Sequence, residues 1–588
     1  MGELYLKWTC RALLGTLFLA PTINAENRVH DAGNIRMNVT DRGYFGNWGL
    51  GAQRAMTDPA RGGEWAHQAE FPAGSGTEYL FQGGLWIGGI ICREGYEFPR
   101  VSVALDGWVW SGEGEFRAVN EGPIVERSNI PGAVDYRGAD IYSPDAAASQ
   151  EFLTEFADTC SNPDMWDEDP VDGPHVPLGL KVRQRSMVWR DADFSEVIII
   201  QWNVDNISDN YLKNIYLGFY YDGDVGALEE DNRFTDDLCG YRPRRFFESD
   251  EGGLDSAEID FAYLYDNDGR NSNIAGGADF ASPGVMGVML LDPVESVQRT
   301  SFNWWNSNGD PDLDYGPSWT DDNAMEDWTS EYGTPMGDER KYFLMRNREI
   351  DFDALYTSKP RWIADNPQRW WEFDIINHQW VVIEQHEWKQ PEDELPPNLQ
   401  YDLTNGFDAK FLISWGPLGE FDHVDEHGNR ITRLDPGMSF TTTIAIVACS
   451  GFHDAEHPQP DNVEIDPTLF NFNALNANTK AAQNIFLNYL GAAENRNEVP
   501  PPANLFLLGA YPNPFNSSTF VTFMAPTPGI MRISLLDAIG QRARDWSEWT
   551  PAGEGRLMID GAGLAAGAYW IRLERDGLTA SRKAVLIK

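Results

Sequence analysis

The sequence predicts an all-β protein: a large multi-sheet β-sandwich body with one late helix, followed by a small C-terminal immunoglobulin-like β-sandwich. Three observations predict it. The 588 residues include 22 Trp, 55 Gly and 35 Pro, a composition that favours strands and turns over helices. Apolar segments alternate, or run briefly between Gly, Asp and Asn clusters, and only once recur at helical spacing. Strand signals then crowd together after residue 505, beyond a proline-rich interruption. Length alone calls for more than one core, since single cores stop growing at about 250–300 residues.

The elements follow in order. In MGELYLKWTCRALLGTLFLAPTINAEN, Lys7 and Arg11 precede the apolar run Ala12 to Ala20, and small or polar residues lead to Ala25. That order predicts a secretory signal peptide over residues 1–25. The run is short of the roughly 20 apolar residues of a membrane span, and no later segment supplies one, so no transmembrane segment is expected in the mature chain. The β-rich body covers 26–497, and a division into two subdomains would fall near 130–190. Within it, YLFQGGLWIGGIICREG (79–95) reads as strands joined by tight turns at the glycine pairs, and VSVALDGWVW (101–110) as a strand pair around Asp106-Gly107. SEVIIIQWNVDNISDNYLKNIYLGFYYDGDVG (195–226) reads as two strands flanking the polar turn Asn206 to Asn210. GVMGVMLLDP (284–293), FLISWGPLG (411–419) and SFTTTIAIVACSGF (439–452) continue the pattern. The helix is NALNANTKAAQNIFLNYLG (473–491), with Leu475, Ala482, Phe486 and Tyr489 on one face and Gly491 at the C-cap. Residues 498–504 form a proline-rich linker, because consecutive prolines favour an extended spacer.

In 505–588, Tyr569, Ile571 and Leu573 alternate with Trp570, Arg572 and Glu574, giving one dry and one wet face. MRISLLDAIGQ (531–541) does the same and then turns at Asp537 to Gly540. FVTFMAP (520–526), RLMID (556–560) and KAVLIK (583–588) supply further strands, which together make a small antiparallel sandwich.

Charge and cysteine usage bound the partners. The net charge is −46, a field that repels nucleic acid and anionic membrane surfaces, so no nucleic-acid partner is expected. The acidity otherwise reads as a solvated surface. Cys92, Cys160, Cys239 and Cys449 are widely spaced and form no CxxC pair. Up to two disulfides or free buried thiols both remain open.

The order Tyr511-Pro512-Asn513-Pro514-Phe515-Asn516, strand, Asp537 with Gly540, Leu564 followed by Gly567-Ala-Tyr569, and a basic, apolar end at Lys588 closely resembles the type A C-terminal sorting domain of the type IX (Por) secretion system of Gram-negative bacteria. The resemblance covers about the last 80 residues. It implies a β-sandwich recognised by the type IX secretion machinery at the outer membrane after Sec export. The implied destination is the extracellular space or the outer-membrane surface, usually with removal of the sorting domain. Local physics agrees with part of this: proline at 512 and 514 fixes φ and withholds two donors, which makes a stiff turn rather than a central strand. The remainder resembles the β-rich bodies found ahead of such domains, a likeness that adds architecture and no chemistry.

The best candidate for chemistry is YDGDVGALEEDNRFTDD (221–237), where Asp222, Asp224, Glu230, Asp231, Asp236 and Asp237 crowd a loop after a strand. Ca²⁺ takes six to eight hard oxygens, so a structural Ca²⁺ is the cofactor expected there; a solvated acidic turn is the alternative. It is no EF-hand, since Gly226, Ala227 and Arg233 stand where that loop needs a ligand, its glycine and its bidentate Glu. GDPDLDYGPSWTDD (309–322) and YDNDGRNSN (265–273) are weaker, and turn chemistry accounts for them. HVDEH (423–427) and HDAEH (453–457) fit a zinc-peptidase spacing that requires a helix. Gly428-Asn429 follows the first and Pro458 with Pro460 the second, so surface histidines in polar loops are expected. The clusters NWW (303–305) and RWW (369–371) read as core tryptophans before sugar platforms. The main body is therefore expected to be a non-catalytic surface, structural or binding component, calcium-stabilised, with a cell-surface glycan or protein as ligand. An extracellular hydrolase acting on polysaccharide or protein is the alternative.

Overall fold

The computed structural model describes residues 26–490 and 506–587, apart from 48–55, 94–95, 106–113, 120–123, 160–174, 228–232, 234–235, 243–244, 249–253, 258–259, 271–281, 293–298, 307–315, 317–336, 358–368, 375–378, 387–402, 404, 425–429, 455–468, 487–489, 512–514, 517, 526–528, 538–539, 551–552 and 576–577. The expected signal peptide and linker lie outside these residues. The structure is mostly strand, and the chain divides into two compact units, residues 1–490 and 491–588. Among the described residues no helix is long and apolar enough to cross a membrane.

Two large sheets build the first unit and share one apolar core. The sixteen-stranded sheet, counted among the described residues, centres on the neighbouring strands Gln82–Arg93, Tyr211–Asp222, Ala409–Leu418 and Arg299–Asn306. The nine-stranded sheet runs in spatial order through Asp237–Arg242, Phe261–Asp266, Val285–Asp292, Ser439–Cys449, Val197–Asn206, Leu180–Val188 and Gln150–Asp158. The two strands either side of Asn206–Asn210 form as the β-branched and aromatic content predicts, but they do not pair with each other. Val197–Asn206 joins Leu180–Val188 and Ser439–Cys449, whereas Tyr211–Asp222 joins Gln82–Arg93 and Ala409–Leu418. The polar turn is an arch between sheets. Its Asn206 side chain bonds across it, Nδ2 donating to the Asn210 and Leu434 carbonyls at 2.8 and 3.0 Å.

The glycine pairs of 79–95 differ from expectation. Gly83, Gly84, Gly88 and Gly89 lie inside the single strand Gln82–Arg93, not in turns. Their small size serves close approach: a Cβ on Gly88 would stand 2.9 Å from both Met345 Sδ and Tyr342 Cδ2 of helix Asp338–Arg346. That helix went unread in the sequence because its buried positions include Lys341 and Tyr342 beside Leu344 and Met345, which leaves no clean apolar stripe. Asp338 and Glu339 in its first turn and Arg346 in its last suit the helix dipole. The late helix forms over Phe472–Ile485 and buries Leu475 and Ala482, with Phe486 buried just beyond it; Tyr489 and Gly491 lie outside the described residues. It packs on Ser439–Cys449, Val197–Asn206 and Val285–Asp292. Trp304 and Trp305 are core residues. Strand Tyr96–Val103 takes in the first three residues of VSVALDGWVW; Asp106-Gly107 is outside the described residues.

Among the described residues the second unit has seven strands in two sheets. One orders Phe506–Tyr511, Ser518–Ala525, Gly553–Asp560; the other Arg542–Thr550, Gly529–Leu536, Gly567–Arg575, Leu578–Leu586. Val521, Phe523, Leu557 and Ile559 from the first meet Ile533, Leu535, Ile571 and Leu573 from the second in a core of their own. Trp570 stands exposed and Arg572 and Glu574 half-buried on the opposite face, as the alternation requires.

Candidate functional site

Two places hold the residues singled out by sequence. The first lies where three neighbouring strands of the larger sheet begin or end. Register places Gln82, Asp222 and Lys410 side by side across them. Asp222 is buried; Gln82 Nε2 donates to its Oδ2 at 2.7 Å and the Tyr220 hydroxyl donates to the same oxygen at 3.3 Å. Lys410 Nζ, also buried, stands 3.6 Å from Asp222 Oδ1 and 2.5 Å from Asp408 Oδ1. Asp224 Oδ2 accepts from Arg233 Nε at 3.3 Å, and Arg233 Nη2 also reaches Gln68 Oε1 at 2.6 Å. Carboxylate oxygens of Asp222, Asp224 and Asp408 all lie within 4.8 Å of one another.

Burial sets the protonation here. It pushes Asp222 up to about 7 against the pull of Lys410, and Asp224 up to about 6 against Arg233. Lys410 is held above its ordinary range: burial opposes its charge, but Asp222 and Asp408 outweigh burial. Of the six predicted metal ligands, Asp222 and Asp224 come together. Asp237 turns its carboxylate to the Val225 N–H at 3.2 Å, and Asp236 accepts from Asn405 Nδ2 at 3.4 Å. Glu230 and Asp231 lie outside the described residues. Asp408, which sequence reading missed, sits over 180 positions further along the chain, and no local motif marks it. The carboxylates suit a hard cation by donor type, and Asp222 Oδ1 is a buried oxygen without a hydrogen-bond donor. Lys410 and Arg233 compete for the same charges, as cations the chain itself supplies.

Of the two histidine spacings, one histidine each, His423 and His453, lies among the described residues. His453 is buried rather than on the surface. Its Nε2 donates to the Asp266 carbonyl at 2.7 Å, and burial pushes its pKa down to about 4. His423 lies in strand Glu420–Val424; His427 and His457 are outside the described residues. Cys92, Cys239 and Cys449 are buried free thiols.

A different histidine is buried between acids. His175 Nε2 lies 2.7 Å from Asp158 Oδ1 and Nδ1 3.0 Å from Glu115 Oε1. Burial opposes its charge, but those carboxylates carry its pKa up to about 11. It is a fixed cation.

The second place is the small unit. Phe515 is buried in its core, and its backbone clasps the last strand: its N–H donates to the Val585 carbonyl at 2.8 Å and its carbonyl accepts from Ile587 N–H at 2.7 Å. The two ends of the motif set therefore meet, although 70 residues separate them in sequence. Asn516 next to the clasp is exposed. Gly540, at φ 81°, closes the turn whose N–H donates to the Asp537 carbonyl at 3.0 Å. Gly567 opens the strand that carries buried Tyr569, whose hydroxyl donates to the Ala565 carbonyl at 2.8 Å. Pro512, Asn513, Pro514 and Lys588 lie outside the described residues. Arg575, unforeseen from sequence, is buried with its guanidinium against Thr550.

Residues 509–588 match the family described as the secretion system C-terminal sorting domain. No curated protein matches the chain. Among solved structures, a protein described as a candidate aldose 1-epimerase from Escherichia coli K12 is 9% identical, with 72% of this chain and 99% of that one covered at a TM-score of 0.23. A polysaccharide lyase is 7% identical over 96% of this chain and 46% of that one, TM-score 0.19. Dimeric latent PorU from Porphyromonas gingivalis is 9% identical over 77% and 31%, TM-score 0.14. Similarity at this level defines no common fold.

Proposed function

From a chain whose residues 509–588 are a C-terminal sorting domain, secreted to the cell surface or the extracellular space, we propose the following route and role. A Sec signal over residues 1–25 carries the chain across the inner membrane, the type IX machinery of a Gram-negative bacterium then reads the folded tail, and the body is delivered as a non-catalytic surface or binding component. One observation carries this reading: the tail has a closed apolar core of its own, separate from the body's, so it is suited to be read, and removed, as a unit. Support for a structural rather than catalytic role of Asp222, Asp224 and Asp408 comes from their pairing with Lys410 and Arg233.

Deleting 505–588 and fractionating the culture tests the route: the truncated protein stays inside the cell envelope, and its undiminished appearance outside refutes the reading. Calcium enters as a stabiliser of the body, held by Asp222 and Asp224 with Asp408. Thermal melts with and without excess chelator test it, because a ligand bound only by the folded state raises Tm. Identical melts leave Lys410 and Arg233 as the counter-cations and remove calcium from the account.

A further inference from the structure

The late helix packs on strands Ser439–Cys449, Val197–Asn206 and Val285–Asp292 of the nine-stranded sheet. In strand Val197–Asn206 the four residues Val197 to Ile200 are all buried, whereas Gln201, Asn203 and Asp205 of the outward face are half-buried. Cross-strand register lays Leu153, Arg185, Gln201 and Thr443 in one outward row and Glu155, Arg183, Asn203 and Thr441 in the next. Val119 and Val125 stand at the far edge, and the result is an open groove of about 560 Å³.

Its chemistry is specific in two ways. Its lining sets the amides of Gln201 and Asn203, the guanidiniums of Arg183 and Arg185 and the carboxylate of Glu155 against an apolar wall of Val119, Val125 and Leu153. Both arginines are already paired from within. Arg183 Nη2 is engaged by Asp205 Oδ1 at 2.9 Å and by Asn203 Oδ1, and Arg185 grips Glu151 through two hydrogen bonds of 3.2 and 2.7 Å. A ligand anion would have to break those pairs and approach a chain of net charge −46. A polyhydroxylated neutral ligand breaks no ion pair: it exchanges the neutral hydrogen bonds that Asn203 Nδ2 makes to Thr441 Oγ1 at 2.9 Å and Gln201 Nε2 to Thr443 Oγ1 at 3.4 Å, and side chains about 4.8 Å apart on neighbouring strands offer repeated partners to hydroxyl groups on a ring with apolar faces.

We propose that this groove binds a neutral polysaccharide, with Asn203 and Gln201 taking sugar hydroxyls and Val125 with Leu153 taking a ring face. The proposal rests on the reading of the body as a binding component. The test is affinity electrophoresis of the full chain in gels cast with mannan, xylan, β-glucan or starch, and in parallel with the uronate polymers alginate and polygalacturonate. At least one neutral polymer retards the protein. Asn203→Ala with Gln201→Ala weakens that retardation about tenfold or more, as expected for removal of hydrogen-bonding groups. Val125→Trp, a change at an exposed position that fills the groove, abolishes it with an unchanged melting temperature. Retardation by no neutral polymer, retardation by uronates alone, or retardation indifferent to Val125→Trp overturns the proposal. Shortening of the bound polymer would instead overturn the non-catalytic reading and leave the groove in place, and neither result touches the export route.

Discussion

The body and the tail are both β-structures, but they are held together by different means. In the tail every strand pair among the described residues closes within the 82 residues from Phe506 to Ile587, several of them as hairpins, over an apolar core. Residues 505–588 carry nine Lys and Arg against seven Asp and Glu, while the rest of the chain holds the whole acidic excess. In the body, strands far apart in sequence pair centrally, as Val197–Asn206 does with Ser439–Cys449, and charge is buried inside the sheet system at Asp222, Asp224 and Lys410. The difference teaches that the tail closes its pairings within one short stretch of chain, whereas this central pairing of the body spans more than two hundred residues. Pairings of low sequence separation form early in folding, and non-local sheets form late.

The comparison breaks if damage to one unit spreads to the other. Lys410→Met leaves Asp222 and Asp408 without their cation and should cost the body about 3–5 kcal/mol, the usual consequence of stranding a buried charge. Calorimetry of the full chain checks it: the body's transition falls and the tail's does not. Phe515→Ala empties a core position and costs about 3–5 kcal/mol, a large share of the stability of a domain this small. The tail's transition and the exported fraction both fall, while the body's transition stays. Gly88→Ala pushes a methyl into Met345 and Tyr342 of the helix on that strand and costs about 1–3 kcal/mol, confined to the body.

The smallest expected effect concerns pH. Burial raises Asp222 and Asp224 to about 7 and 6 in the folded body, above the ordinary carboxylate range, so the folded body binds protons more tightly than the unfolded chain. Their contribution favours folding at about pH 4 and is lost as pH rises through 6 to 7. Asp222→Asn should flatten this part of the body's melting-temperature profile between pH 4 and 7 and leave the tail's profile unchanged. A profile as steep as that of the unaltered chain would place the titration elsewhere.

The strand alternation at Tyr569, Ile571 and Leu573 and the turn at Asp537–Gly540 were legible because each depends on neighbours a few residues away, whereas the clasp of Phe515 on Val585 and Ile587 joins residues at least 70 positions apart. Side-chain period and turn chemistry are local, so they determined the tail's strands and, in the body, those with the clearest apolar runs, such as Val197–Asn206, Tyr211–Asp222, Val285–Asp292, Ala409–Leu418 and Ser439–Cys449, while Gln150–Asp158 and Leu180–Val188 went unread. Only the tertiary structure decided which sheet each body strand enters. Alternation encodes a face and not a partner, so Asn206–Asn210 could be read as a turn but not as an arch between sheets. For the same reason Asp408 and Lys410 were invisible beside Asp222: their meeting depends on a strand pairing nearly two hundred residues long-range. Gly88 was misread because the helix that needs its missing side chain lies some 250 residues away in sequence, where no local rule reaches.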